Sequence, residues 1–281
     1  MIRYGFKFAV IFLENILIAL FSALIFWLPA RVKANLKNKL NPKVKLDYRR
    51  HTIFLCADSE WSLRRARACE KEPETVAWIE KFMQPAEVFY DIGANVGAYS
   101  LVASKYFQGN IKVFSFEPSF STYAQLCRNI VLNNCQGSVF PYPFLLADKL
   151  EIVHFKYQSL EGGSAEHSLS KNQGDDNVGK MATAAEYQQQ LLSFPVDYLV
   201  TTLRFPPPNH MKVDVDGAEL LVLQGALQTL AMEQLKSVLV EVRQYNGQAE
   251  VVLALLGDSG FKLHSRYDRG DGIIWNYIFV K

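Results

Sequence analysis

The sequence predicts an α/β fold, a mostly parallel sheet covered by helices, on three observations. First, the short apolar run Val88-Phe89-Tyr90-Asp91-Ile92 breaks on Gly93-Ala94-Asn95-Val96-Gly97, and an amphipathic run from Ala98 to Phe107 follows at once. Second, Ile111 to Phe116 repeats the pattern, ending on Glu117-Pro118 before a helical stretch from Ser119 to Leu132. Third, Met211 to Val215 and Val238 to Val242 are further apolar strands, and charged residues punctuate both. Strand, tight turn and helix in this order build a ligand site, because glycine lets the backbone turn sharply and the helix start presents unpaired N–H groups.

Composition narrows the class. The chain has 281 residues, 49% hydrophobic, with 30 basic against 28 acidic side chains. A formal charge of +2 gives no sign of a nucleic-acid partner. The four cysteines, Cys56, Cys69, Cys127 and Cys135, show neither a C-x-x-C pair nor a zinc spacing, and read as reduced thiols.

Residues 8–30 are almost wholly apolar, interrupted by Glu14 and Asn15, and match the length of about 20 residues that a bilayer-spanning helix needs. Arg31, Lys33, Lys37, Lys39, Lys43 and Lys45 follow, which places the body of the chain on the cytoplasmic side by the positive-inside rule. A cleaved signal peptide, an interfacial helix and a helix packed on the domain are the competing readings. The expectation is a membrane anchor.

The remaining elements follow in order. Lys43 to Cys56 reads as a small hairpin, and Pro73 to Phe82 as a helix with proline in its first turn. Val139 to Ala147 is expected as a third strand ending on Asp148, and Glu151 to Tyr157 as a fourth. The polar stretch from Gln158 to Gln190 reads as a substrate-facing loop, with a short helix over Met181 to Leu192. Lys212, Asp214 and Asp216 share one strand face by the period of two, and a helix from Leu220 to Leu230 follows. The chain closes with a helix from Gln248 to Leu256 and two strands, Phe261 to Tyr267 and Ile273 to Val280, joined as an antiparallel hairpin.

Two strand-end acids carry chemistry. Asp91 faces a ligand where a dinucleotide fingerprint would leave room for pyrophosphate, so it suits a cation or ribose hydroxyls. Glu117 lies 26 residues further on, near the interval at which such folds place a carboxylate on a ribose.

The motifs DIGANVG, SFEPS, LLADK, KVDVDGAE and VLVEVR, in this order and spacing, resemble the FkbM-type branch of class I S-adenosylmethionine-dependent methyltransferases over residues 70–281. The resemblance implies a Rossmann-like class I methyltransferase fold: a seven-stranded, mostly parallel sheet with a C-terminal antiparallel hairpin, preceded by the N-terminal hydrophobic helix. Together with the apolar N-terminal segment and the small hairpin, which lie outside the resemblance, the chain is expected to divide into an anchor over residues 1–34, a linker and accessory hairpin over 35–72, and a methyltransferase domain over 73–281. The resemblance implies S-adenosylmethionine as cofactor, with Gly93 and Gly97 admitting the methionine portion and Ala94 beside them. Asp91 and Asn95 would then contact the amino group or ribose, Glu117, followed by Pro118, would take the ribose hydroxyls, and Ala147 and Asp148 would meet the adenine. The acceptor is expected to be a hydroxyl of a sugar, glycolipid or secondary metabolite. Such an acceptor needs a base, for which Asp214, Asp216 and Glu219 are the candidates and His167 an outside one.

Two other classes compete. A nicotinamide-dependent oxidoreductase or epimerase would share the topology, but the glycine spacing is wrong and the sole Tyr-x-x-x-Lys pair is Tyr277 with Lys281 on a terminal strand. A membrane-tethered binding protein without catalysis would not need the acids at Asp91, Glu117 and Asp148. A variant of the leading reading uses Asp214 and Asp216 to hold a divalent cation.

Overall fold

The computed structural model describes residues 2–165, 167–170, 187–244, 247–270 and 272–281, and divides the chain into two units, Met1–Pro42 and Lys43–Lys281. The first holds α1 (Ile2–Phe26) and α2 (Ala30–Leu40). Phe12, Leu17, Phe21, Leu24 and Trp27 are exposed, and no α2 residue is buried. Among the described residues no helix is long and apolar enough to cross a membrane, so the spanning helix expected over residues 8–30 is not found.

The second unit opens with β1 (Lys43–Lys45) and β2 (Phe54–Cys56), which pair antiparallel, then α3 (Glu60–Arg65), α4 (Ala68–Lys71) and α5 (Pro73–Phe82). The strand–helix alternation follows: β3 (Val88–Ile92), α6 (Ala98–Tyr106), β4 (Lys112–Phe116), α7 (Phe120–Leu132) and β5 (Val139–Tyr142). Next come β6 (Leu145–Leu146), β7 (Glu151–Tyr157), β8 (Ser168–Ser170), β9 (Tyr187–Phe194) and α8 (Val196–Thr201). The chain returns through β10 (His210–Val213), α9 (Glu219–Gln224), α10 (Leu227–Ala231), β11 (Ser237–Arg243), α11 (Gln248–Asp258), β12 (Lys262–Asp268) and β13 (Ile274–Val280).

The seven-stranded sheet runs β12-β13-β11-β10-β3-β4-β5, parallel except where β13 meets β11 and β12. The alternation of side chains sorts its core. Phe89, Val113 and Leu239 face α5, α6 and α7 through Trp78, Leu101 and Leu126, while Tyr90, Phe114 and Val240 face α9 to α11 through Val222, Leu230 and Val252. Every residue of β3 and β11 is buried, as a strand covered on both faces requires.

Three expectations are corrected. The strand expected over residues 139–147 ends at Tyr142; Pro143 cannot continue the ladder, and Leu145–Leu146 joins a separate sheet in the order β6-β9-β7-β8. The strand expected over Glu151 to Tyr157 is found as β7, in that second sheet. Of the helix expected over residues 181–192, residues 181–186 lie outside the described residues and 187–192 belong to β9. The helix expected over residues 220–230 breaks at Gly225, which packs so closely on β6's exit that an added Cβ would stand 2.0 Å from the Ala147 carbonyl oxygen.

Candidate active site

A cavity of about 870 Å³ opens at the carboxyl ends of β3, β4, β10 and β11, where open α/β sheets bind ligands. Its floor is the turn after β3. Gly93 has φ +82°, and a Cβ there would lie 1.8 Å from the Asp214 carbonyl oxygen, so only glycine lets this backbone pass β10. The amides of Gly93 and Ala94 both donate to the Phe116 carbonyl at 3.0 Å, which ties the turn to the end of β4.

Glu117 is fixed by that turn. Its Oε2 accepts the Asn95 amide and its Oε1 the Ser119 amide, each at 2.9 Å. Burial pushes its carboxyl up to about 7, against the two backbone donors, which favour the charged form. Each oxygen keeps a further lone pair, and Glu117 lines the cavity, so it suits a ligand that presents paired hydroxyls. Asn95, at φ +50°, donates its side-chain amide to the Ser164 carbonyl at 2.8 Å and so pins the second sheet's loop over the turn.

Asp91 stands beneath this floor. It is 1% exposed and absent from the walls; its Oδ2 accepts the Ser100 hydroxyl at 2.5 Å, while its buried Oδ1 has no hydrogen-bond partner. Burial pushes its carboxyl up, opposed by Lys212 and Ser100. Lys212, on β10, is fully buried, 2.6 Å from Asp214 Oδ2 and over the Tyr99 ring at 5.2 Å. Burial alone would strip its proton, but Asp214, Asp91 and Glu72 outweigh that and keep it charged. Asp214 is likewise pushed up by burial and pulled further down by Lys212, so its carboxyl lies below the usual range.

The sequence-derived residues are therefore distributed unevenly. Gly93, Ala94, Asn95, Glu117, Pro118, Asp214 and Asp216 line the cavity. Gly97 caps α6 at φ +85° outside the walls, packed on Leu126. Ala147 and Asp148 lie outside too; Leu145 and Leu146, just before them, form the wall instead. Asp216 does not share a strand with Lys212, because β10 ends at Val213 and Asp216 sits on a turn at φ +57°. Glu219 is buried outside the walls, where Oε1 accepts the amides of Val215 and Gly217 at 3.1 and 2.9 Å. Burial pushes its carboxyl up to about 7. It shapes the turn that carries Asp216.

His167 lines the cavity, but its Nδ1 accepts the Gln158 amide at 3.2 Å, so the proton sits on Nε2, near Ser164 Oγ. Burial, helped by Arg65, pushes it down to about 4. Tyr277 and Lys281 face elsewhere, toward Gln244 and the Met232 carbonyl, so they offer the cavity no redox pair. Among the described residues no three His, Cys, Asp or Glu side chains gather to hold a metal ion.

Other wall residues escape the motif reading. Arg65 on α3 donates Nε–H to the Gly163 carbonyl at 3.1 Å, and Trp61 and Arg64 stand beside it. Arg269, from the β12–β13 turn, bridges Glu72 and Glu241 at 2.8 and 2.7 Å. Glu241 was legible as a charge breaking an apolar strand; Arg269, in a polar turn, gave no signal.

The chain matches the family described as "Methyltransferase FkbM domain" over residues 91–263. It is 26% identical over 182 residues to a hexuronic acid methyltransferase, AglP, of Haloferax volcanii, an alignment covering 65% of each chain. Against the methyltransferase sdnD of Sordaria araneosa it is 30% identical over 195 residues, covering 62% of this chain and 73% of the relative. The solved structure of a methyltransferase FkbM from Methylobacillus flagellatus superposes with a TM-score of 0.45 and 15% identity, over 70% of this chain and 45% of that one.

Proposed function

Because this chain belongs to the FkbM methyltransferase family, we propose that it binds S-adenosylmethionine in the cavity above Gly93 and methylates a hydroxyl of a sugar, glycolipid or secondary metabolite. The observation that carries the reading is Glu117, held by two backbone amides in the cavity wall with lone pairs to spare. The glycine turn beside it packs on the Asp214 carbonyl and so sets the cavity floor, and the unpartnered Asp91 Oδ1 beneath it favours the positive end of an amino acid. S-adenosylmethionine, when bound, supplies a methyl carbon activated by its sulfonium. This chain's work is then to orient and to exclude water: Glu117 takes the ribose hydroxyls, Leu145 and Leu146 offer an apolar wall to the adenine, and Asp214 with Lys212 borders the reacting end. The name of the Haloferax relative points to an acidic sugar as one acceptor to try.

The test is transfer of a tritium-labelled methyl group to a panel of glycosides and hexuronates, with Glu117→Ala as control. Transfer lost in the variant supports the reading; absence of S-adenosylmethionine binding contradicts it.

The first unit has a role of its own in this proposal. Exposed Phe12, Leu17 and Phe21, followed by Arg31, Lys33, Lys37 and Lys39 on an acid-free helix, suit an anionic bilayer surface rather than a span. Co-sedimentation of the full chain with anionic but not neutral vesicles is the expected result.

A further inference from the structure

A hydroxyl acceptor must lose a proton as its oxygen attacks carbon, and a carboxylate takes that proton best when it titrates near the working pH. The acids singled out by sequence are poorly placed for this. Asp214 has Oδ2 held by Lys212, whose charge keeps its carboxyl below the usual range and makes it the weaker base; Glu219 is held by backbone amides outside the walls, and Asp216, on its turn, makes an interaction of its own. His167 has its lone pair taken by the Gln158 amide.

Glu241 differs from all of these. It lies near the carboxyl end of β11, lines the cavity and is only 8% exposed. Arg269 Nη1 holds its Oε2 at 2.7 Å, and no hydrogen bond among the described residues occupies Oε1. Resting on the methyltransferase reading, we propose that Glu241 is the general base, its Oε1 accepting the proton of the acceptor hydroxyl. In that step the acceptor oxygen forms the new bond to the methyl carbon. The carbon–sulfur bond breaks with its pair going to sulfur, and the hydroxyl proton passes to Glu241, which later returns it to water.

The charges around Glu241 suit the task. Burial pushes its carboxyl well above the usual range; Asp214 just after β10 and Glu72 before α5 add to this, while Arg269 and Lys212 oppose it. A sulfonium in the same cavity adds a positive charge and favours the ionised carboxylate, whereas a thioether does not. Binding of S-adenosylmethionine is therefore expected to expel a proton from Glu241 that S-adenosylhomocysteine leaves in place.

The experiment is calorimetric titration of the full chain with each ligand at neutral pH, in two buffers of unlike ionisation enthalpy. Wild type should release more protons with S-adenosylmethionine than with S-adenosylhomocysteine. Glu241→Gln should bind both ligands and lose that difference, and Glu241→Asp should retain it. An unchanged difference in Glu241→Gln overturns the proposal. So does loss of S-adenosylhomocysteine binding in both variants, which would assign Glu241 to holding the fold. If wild type binds neither ligand, the methyltransferase reading itself fails; if it binds both with equal proton release, only the role of Glu241 does.

Discussion

Asn95 and Glu117, 22 residues apart in the chain, are joined by one hydrogen bond of 2.9 Å from the Asn95 amide to Glu117 Oε2. That bond links the turn after β3 to the end of β4 and aims the carboxylate into the cavity. Glu117→Ala is expected to weaken S-adenosylhomocysteine binding by about 1.5–3 kcal/mol, roughly tenfold to a hundredfold, with the fold retained. Ribose hydroxyls donate to the ionised form, and burial pushes this carboxyl up to about 7. Affinity should therefore fall as pH drops below about 7. Calorimetry across that range, with Glu117→Gln showing a flatter profile, checks it.

Gly93 and Gly109 separate crowding from backbone strain. Both sit at nearly the same φ, +82° and +81°, but a Cβ at Gly93 meets the Asp214 carbonyl at 1.8 Å while one at Gly109 meets nothing within 4 Å. Gly109→Ala should cost about 1–2 kcal/mol, the ordinary price of a left-handed residue. Gly93→Ala should cost more and abolish cofactor binding. Equal losses in denaturant melts would refute the close approach of β3 to β10.

Glu219 gives a pH signature from outside the cavity. Its folded carboxyl is raised to about 7, above its unfolded value, so its favourable contribution is present in acid and lost as pH rises through about 7. Glu219→Gln keeps an oxygen for the Val215 and Gly217 amides and should be more stable than wild type at about pH 8.5. Glu219→Ala should lose about 1–2 kcal/mol across the range, as a lost backbone acceptor predicts. Urea denaturation at both ends of the range decides.

At the amino end of the central strand β10, His210 is 1% exposed between Glu87, 2.8 Å from Nε2, and Ser237, 2.7 Å from Nδ1; Trp78 also donates to Ser237. Burial pushes His210 down, reinforced by Lys236 and opposed by Glu87. With a depressed folded value, its contribution is present above the unfolded value of about 6.5 and is lost as pH falls. His210→Phe should lower stability at about pH 7.5 yet lose less than wild type on acidification to about pH 5.5.

The parallel sheet was legible because β3, β4, β10 and β11 are apolar runs ending in a charge or glycine, and the hairpin because Asp268 to Gly272 is turn chemistry. The split after Tyr142 was harder to see. Pro143 marks a break, but only the separate pairing of Leu145–Leu146 with Ser193–Phe194 shows that the chain leaves one sheet for another. β9 was misread as helix because Tyr187-Gln188-Gln189-Gln190 has no strong propensity, and cross-strand pairing with β7 decides it. Glu117 could be found by interval; the distinction among Asp214, Glu219 and Glu241 could not, because it lies in what each carboxylate touches.

The central claim is a cavity built for S-adenosylmethionine around the Gly93 turn and Glu117. Its most direct test is calorimetric titration of the purified chain with S-adenosylmethionine, with NAD in parallel and Glu117→Ala as the variant. Binding of S-adenosylmethionine but not NAD, weakened in the variant, is the predicted result. Binding of NAD, or S-adenosylmethionine affinity untouched by loss of Glu117, would contradict it.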